Sequence, residues 1–437
     1  MRYLANFCKG GNNMGQEKKF FYGWWIVFVA FLSVAITYGT KGVFGVVQLQ
    51  MLDELHWTRA SIAGAMSANM LVYALAAPFV GKFMDKVGIR TVLMVGGFLT
   101  GVAFLLVTTV TETWQFYLYY GLLLGLANTG MGMIPGPTAV NRWFVRKRGR
   151  ALSMALVASP GGIAVFTFLA KDLLPTIGWK GLVSIMGIAS FVLVILPAYF
   201  FMRSNPEEMG LLPDGDTEKP QATVAAAAGP DQSSERQWTL TQLFTSPLAL
   251  GVFFAYFVMG GNGWAQQVHQ VPHLIKMGLS KDAATVALGM NMILAVLSML
   301  IWPAISDFIK RRTAVILSLL IQAAGTMLLL NAHDMTMTYA FVVIMGISHY
   351  GSYGLFSAFA ADTFGRKSLG TVSGAMAMIG AGGAALGIYA GGAIYDATGS
   401  YNLLWQVGFG GLLAGALLVF LMRSKDAAQS TTAGHAS

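Results

Sequence analysis

The chain has 437 residues, of which 55% are hydrophobic and only 11% charged, and its net charge is +9. Soluble globular proteins carry about 25% charged residues, so a soluble enzyme is excluded. The apolar runs are as long as the ~20 residues that cross a bilayer, and a barrel of ~10-residue alternating strands does not fit the nearly unbroken run from Phe20 to Val47.

In chain order, a polar N-terminal tail (1–21) precedes six apolar spans, approximately Tyr22–Gln48, Arg59–Gly81, Thr91–Thr109, Gln115–Val140, Arg150–Ala170 and Gly181–Met202. A linker rich in Pro, Ala and acidic residues follows, with domain bounds 203–245 and the character of a mobile tether. Six more spans come next, approximately Pro247–Gln270, Ala283–Ile305, Thr313–Leu330, Thr336–Ala360, Leu369–Ile394 and Tyr401–Met422. The expected domains are therefore a first six-helix bundle at 22–202, a second at 246–422 and a C-terminal tail at 423–437. The first span is too long for a cleaved signal and is expected to act as its own insertion signal. Met14 opens a second plausible start, so both starts remain open.

Of the 28 Lys and Arg residues, 22 fall in the tails and even-numbered connections, and five (Arg59, Lys171, Lys180, Lys276 and Lys281) fall on the opposite side. Positive residues accumulate on the cytoplasmic side, which predicts cytoplasmic termini in a cell (inner or plasma) membrane. The basic balance is then a topological signal beside anionic headgroups and requires no nucleic acid. The single cysteine, Cys8, excludes an internal disulfide and a Cys-based metal site. No metal or cofactor is expected.

After span 2 the chain reads Gly81, Lys82, Phe83, Met84, Asp85, Lys86, Val87, Gly88, Ile89, Arg90, where Gly81 and Gly88 would permit a tight turn. A degraded copy, with Asp307, Lys310, Arg311 and Arg312, follows span 8. This repeat resembles the loop signature of the major facilitator superfamily, and the resemblance implies an all-α membrane fold of twelve helices in two six-helix bundles. It also implies a conformational-switch role for Gly81, Asp85, Lys86, Gly88, Arg90, Asp307 and Arg311. Two further segments narrow the likeness: Tyr22-Gly23-Trp24-Trp25, and Asn141-Arg142-Trp143-Phe144 with Arg146 to Ala151 and Ser159-Pro160-Gly161-Gly162. They resemble the monocarboxylate transporters, and the Asn-Arg-Trp-Phe stretch is also similar to the oxalate:formate antiporters.

All 19 carboxylates map to loops, tails or span ends. A carboxylate is the usual intramembrane partner of a cation and a common proton relay, so a cationic substrate is disfavoured. Lys41 in span 1, His269 in span 7 and His349 in span 10 remain as charged or titratable groups within the spans, and a cavity with a cation and no fixed anion attracts anions. On span 1, Thr37, Lys41 and Gln48 lie within about 40° of one another. On span 7, Asn262, Gln266, His269 and His273 form a polar stripe within about 60°. Tyr119, Tyr120 and Asn128 on span 4, Asn291 and Trp302 on span 8, and Tyr353 one turn from His349 complete the candidate substrate set. In the superfamily, spans 1, 4, 7 and 10 line the central cavity. Lys41 either serves that cavity, as the resemblance to the monocarboxylate transporters implies, or snorkels to the outer headgroups. His269 and His349 either exchange protons or make interhelical hydrogen bonds.

Two departures from these relatives matter. Before Pro303 the chain reads Leu297-Ser298-Met299-Leu300-Ile301-Trp302, without the Asp and Arg common in monocarboxylate transporters, and span 11 offers Met376 and Met378 where the antiporters use a lysine. One cation neutralises one carboxylate, so the expected cargo is a monocarboxylate or related organic anion. It would be carried by alternating access in proton-coupled symport by a monomer in the lipid bilayer. Anion exchange, drug export and a non-transporting sensor are the alternatives. No nucleophile–base–carboxylate set falls in the spans, so an enzyme is not expected.

Overall fold

The computed structural model describes residues 21–215, 238–365 and 368–422. The tails and most of the linker, read above from composition alone, lie outside the described residues. Within the described residues the regular structure is helical, as a bilayer demands, because a helix satisfies every backbone N–H and C=O within its own segment.

In the first half, α1 (Gly23–Gly42) bends at Val43 and continues as α2 (Phe44–Leu55), followed by α3 (Arg59–Val87) and α4 (Ile89–Val107). The fourth rod is assembled from α5 (Thr113–Phe116), a π-helical stretch Tyr117–Leu123, α6 (Leu124–Thr129) and, after a turn, α7 (Pro135–Trp143). Next come α8 (Arg148–Leu156) and α9 (Ala158–Ser190), bent at Gly178 where φ is +66°, and then α10 (Leu196–Phe201). The second half comprises the short α11 (Leu240–Thr245), α12 (Pro247–Lys276), α13 (Lys281–Phe308), α14 (Arg311–Leu330), α15 (Met335–Gly346), α16 (His349–Phe364), α17 (Leu369–Thr398) and α18 (Asn402–Leu421). Nine helical segments are long and apolar enough to cross a membrane, and one of them, Arg148–Phe201, is 54 residues long and doubles back at Gly178. With the two broken rods, α5 to α7 and α15 with α16, the described residues make twelve crossings, six on each side of the linker.

Three features differ from the sequence reading. The first rod does not stop at Gln48 but runs to Leu55, because Glu54 emerges at its end and accepts hydrogen bonds from Trp179 Nε1 and Lys180 Nζ, both at 2.6 Å. Lys41 is therefore far from the rod's end. Gly81 does not form a turn but lies inside α3, and the turn falls at Gly88 alone, with φ +85°. The fifth rod does not end at Ala170 but continues to the Gly178 bend.

Prolines expose carbonyls that side chains then take up. Pro135 has no N–H to offer the carbonyl of Met131, and Ser33 Oγ on α1 donates to it instead. Pro272 likewise frees the carbonyl of Val268, which accepts Gln48 Nε2 from the other half at 2.7 Å. That bond belongs to a belt joining the halves at the end where α2 stops and α3 begins. There the Asp396 carboxylate on α17 accepts from the backbone N–H groups of Arg59 (3.2 Å) and Ala60 (2.7 Å). Arg59 donates to Tyr401 Oη at 2.7 Å and stacks over the Tyr395 ring, 4.1 Å from its centroid. Ser67 Oγ reaches the carbonyl of Ala385 at 2.7 Å, and Gln267 Nε2 that of Gly42 at 3.3 Å.

Candidate functional site

A cavity of about 550 Å³ lies between the halves, on the linker side of this belt. The first half contributes Tyr38 from α1, Met133 from the α6–α7 turn, Leu156 and Ser159. From the second half, α12 presents Tyr256, Gly263, Trp264 and Gln267, and α13 presents Met299. His349, Tyr350, Tyr353 and Ser357 line the α16 side. Aromatic rings dominate this wall: Tyr38 faces Trp264 across the halves with centroids 6.2 Å apart, and Tyr256 and Tyr353 meet edge to face at 5.9 Å.

Lys41 is 5% exposed, so it does not snorkel in this conformation. Its ammonium sits 4.8 Å from the centroid of the Tyr73 ring and 5.9 Å from that of Tyr38, the ring that forms the cavity wall. A cation over a ring face gains from the ring quadrupole, yet no acidic side chain is among the described partners of Lys41. The charge thus stands directly behind the wall, uncompensated by a carboxylate.

His349 also lines the cavity, and its setting is specific. Nδ1 is 3.0 Å from Gln322 Oε1 on α14, while Gln322 Nε2 donates to Ser352 Oγ at 3.1 Å. With the amide so assigned, Nδ1 carries the proton and Nε2 is left as an acceptor. The ring lies over Gly263, where a Cβ would overlap Cε1 and Nε2. Tyr353 packs edge to face against it, with centroids 5.3 Å apart.

The other sequence candidates are placed elsewhere. Thr37 is buried and donates to the carbonyl of Ser33 at 2.8 Å. Tyr120 is packed between Phe44 and Phe116, with centroids at 4.3 and 5.0 Å, and Tyr119 lies against the same cluster. Asn128 is fully buried, with neither side-chain polar atom hydrogen-bonded. Asn291 Nδ2 donates to the carbonyl of Val342 (3.3 Å) and Trp302 Nε1 to that of Ile347 (2.9 Å), both along the seam of α13 with α15 and α16. The polar stripe of α12 exists, but it points into its own half: Asn262 and Gln266 both donate to Thr326 Oγ1, at 3.0 and 3.3 Å. His269 Nε2 meets the carbonyl of Ile388 at 2.8 Å, and His273 Nε2 that of Leu329 at 2.9 Å. Within a membrane such groups pair across helices. Of the twelve candidates, His349 and Tyr353 line the cavity and Lys41 backs it.

Sequence reasoning missed Tyr38, Tyr256, Tyr350 and Gln267 as wall residues, Tyr73 beside Lys41, and Gln322 behind His349. Spacing could have found one of them, since Tyr38 is one turn before Lys41.

The residues of the repeated loop signature sit at the linker end. Asp85 pairs with Arg142 Nη2 at 3.2 Å, and Arg311 Nη1 pairs with Asp362 at 2.5 Å. Arg90 stacks on the Tyr199 ring at 4.6 Å, and Arg312, at the matching place in the second half, donates to the carbonyls of Val419 and Phe420. Lys86 is exposed. The side chain of Asp307 lies outside the described residues. The two narrower motifs meet here as well: Phe21 and Trp24 pack against Phe144, and Tyr22 against Trp143.

Two six-helix halves, joined at one end, thus enclose a cavity with no acidic side chain among its described wall residues. The chain belongs to the Major Facilitator Superfamily, whose profile matches residues 27–274 and 252–436. Among similar proteins, Monocarboxylate transporter 14 of Mus musculus is 26% identical over 196 residues, 45% of this chain, and the match spans only 38% of that protein's length. Monocarboxylate transporter 13 of Rattus norvegicus is 25% identical over 405 residues, covering 90% of this chain and 87% of that one. The MFS-type transporter YcxA of Bacillus subtilis is 24% identical, covering 88% and 91%. Within the superfamily, the chain is thus similar to monocarboxylate transporters at about a quarter identity. Its fold is similar to that of the nucleoside transporter NupG (TM-score 0.69, 13% identity, 92% of this chain and 100% of that one). It is equally similar to that of a bacterial homologue of the lysosomal transporter Spinster (TM-score 0.69, 13% identity, 92% and 96%), whose structure is described as inward-facing and occupied.

Proposed function

We propose that the chain carries a monocarboxylate or closely related organic anion across a cell membrane by alternating access, in symport with protons. The single observation that carries this reading is the Lys41 ammonium, buried behind the Tyr38 wall of the inter-half cavity with no acidic partner among the described residues. Burying an unpaired charge is costly, and an incoming carboxylate would relieve that cost. The names of the relatives at 25% and 26% identity agree with a monocarboxylate cargo. Orientation follows the distribution of positive residues: tails 1–21 and 423–437 and the linker 203–245 on the cytoplasmic face, bundles 22–202 and 246–422 in the membrane, and a monomeric working unit. On that orientation the belt from Gln48 to Asp396 is the outer gate, and the conformation faces inward.

Coupling to protons is assigned to Lys41 and His349, the lysine and the histidine beside the cavity among the described residues. His269 is buried in the seam between α12 and α17 and has no such access. Binding of the anion favours the charged form of its partner, so proton and anion would enter and leave together.

The test is uptake of labelled monocarboxylates into proteoliposomes under an imposed pH gradient. We expect an inward proton gradient to accelerate uptake and Lys41→Met to reduce it at least tenfold. Undiminished uptake in Lys41→Met would overturn the assignment, and counterflow indifferent to the gradient would favour anion exchange over symport.

A further inference from the structure

Resting on the monocarboxylate reading, the cavity's wall chemistry specifies which acids suit it. We propose that the cargo is an aryl-alkanoate, an aromatic ring joined by a short chain to one carboxylate, without an amino group.

Volume is the first argument. A cavity of about 550 Å³ falls in the range of roughly 300–1,000 Å³ that takes drug-sized ligands, whereas a two- or three-carbon acid would leave most of it to water against apolar walls.

Wall composition is the second. The rings of Tyr38, Tyr256, Trp264, Tyr350 and Tyr353 surround the space, with the thioethers of Met133 and Met299 between them. Each of these five rings is partly exposed rather than sealed in a core, so ring surface remains to be covered. They are already set for aromatic neighbours: Tyr256 and Tyr353 are inclined at 87°, and His349 and Tyr353 at 78°. An inserted ring would extend this edge-to-face cluster, and methionine sulfur also favours aromatic edges.

Charge is the third argument. Among the described residues the cavity walls contain no Asp, Glu, Lys or Arg, and the nearby cation is Lys41, behind Tyr38 at the first-half wall. The carboxylate would therefore lie toward Tyr38 and the ring toward Tyr256 and Tyr353. An amino acid would bring an ammonium group into a cavity that has a cation beside it and no carboxylate to receive it.

Equilibrium binding of three acids to the purified full-length protein, by titration calorimetry, tests this directly: 3-phenylpropionate, propionate, which lacks the ring, and phenylalanine, which adds the amino group. We expect 3-phenylpropionate to bind at least tenfold more tightly than either of the others, on the order expected for burying a phenyl ring. Tyr353→Leu should narrow the ratio to propionate several-fold, with Tyr256→Leu as the second variant. If neither variant folds, the wild-type ratios decide. Propionate equal to 3-phenylpropionate would overturn the aromatic assignment and leave the monocarboxylate reading standing. Phenylalanine equal to 3-phenylpropionate would overturn the exclusion of the amino group. If neither 3-phenylpropionate nor propionate binds, while neutral 3-phenylpropanol does, the monocarboxylate reading itself fails.

Discussion

Gly263 and His349 illustrate how one missing methyl group sets a side chain in the cavity wall. The imidazole occupies the space that a Cβ at position 263 would claim, and Gln322 fixes its rotation and proton from the other side. Replacing Gly263 with alanine would push the ring off Gln322 and leave buried polar groups unpaired, at a cost of about 1–3 kcal/mol. Gly263→Ala is thus expected to lower the melting temperature by several degrees and weaken carboxylate binding at least several-fold, read by thermal denaturation and calorimetry on the same sample. Lys41 shows the opposite arrangement. It has aromatic faces for company but no described hydrogen bond or ion pair.

At the scale of helices, the first turn of α3 shows how the two halves are joined. Its N-terminal N–H groups are the orphans of any helix. Asp396 from the other half accepts from Arg59 and Ala60, while Thr58 accepts from Ser61 through its side chain. A carboxylate at this position also meets the positive end of the helix dipole. Opening this end must break that cap, so Asp396→Asn, which removes the charge and with it up to about 1 kcal/mol of attraction to the helix N-terminus, should shift the population toward the open state several-fold. Distances between spin labels placed on α3 and α17 would report the shift, and an unchanged distribution would refute the latch. The same scale shows what the sequence made legible. The twelve rods were readable because apolar length is a local property. The destination of the α12 stripe was not, because one polar face can point at a cavity or at Thr326, and only packing decides. Asp53 and Glu54 hid the last turns of the first rod, since a carboxylate looks like a stop until Lys180 and Trp179 are seen beside it. The wall tyrosines escaped because an aromatic residue in a membrane helix carries no mark of which side it faces.

For the molecule as a whole, the seams between halves pair α3 with α17 and α9 with α13, and α2 meets α12 at the belt. The matching Arg90 and Arg312 contacts, each from the start of a third rod to a sixth, extend the internal repeat to the linker end. Such repeats generally rock about a site near the midplane, and here the cavity beside Lys41 lies between the two halves. On the proposed function, the Lys41 ammonium gives the cavity a preference for an anion. The most direct test compares 3-phenylpropionate with its neutral counterpart 3-phenylpropanol, by calorimetry, on wild type and Lys41→Met. Wild type should prefer the acid at least tenfold, and Lys41→Met should lose that preference while retaining affinity for the alcohol. An acid preference that survives unchanged in Lys41→Met would contradict the account.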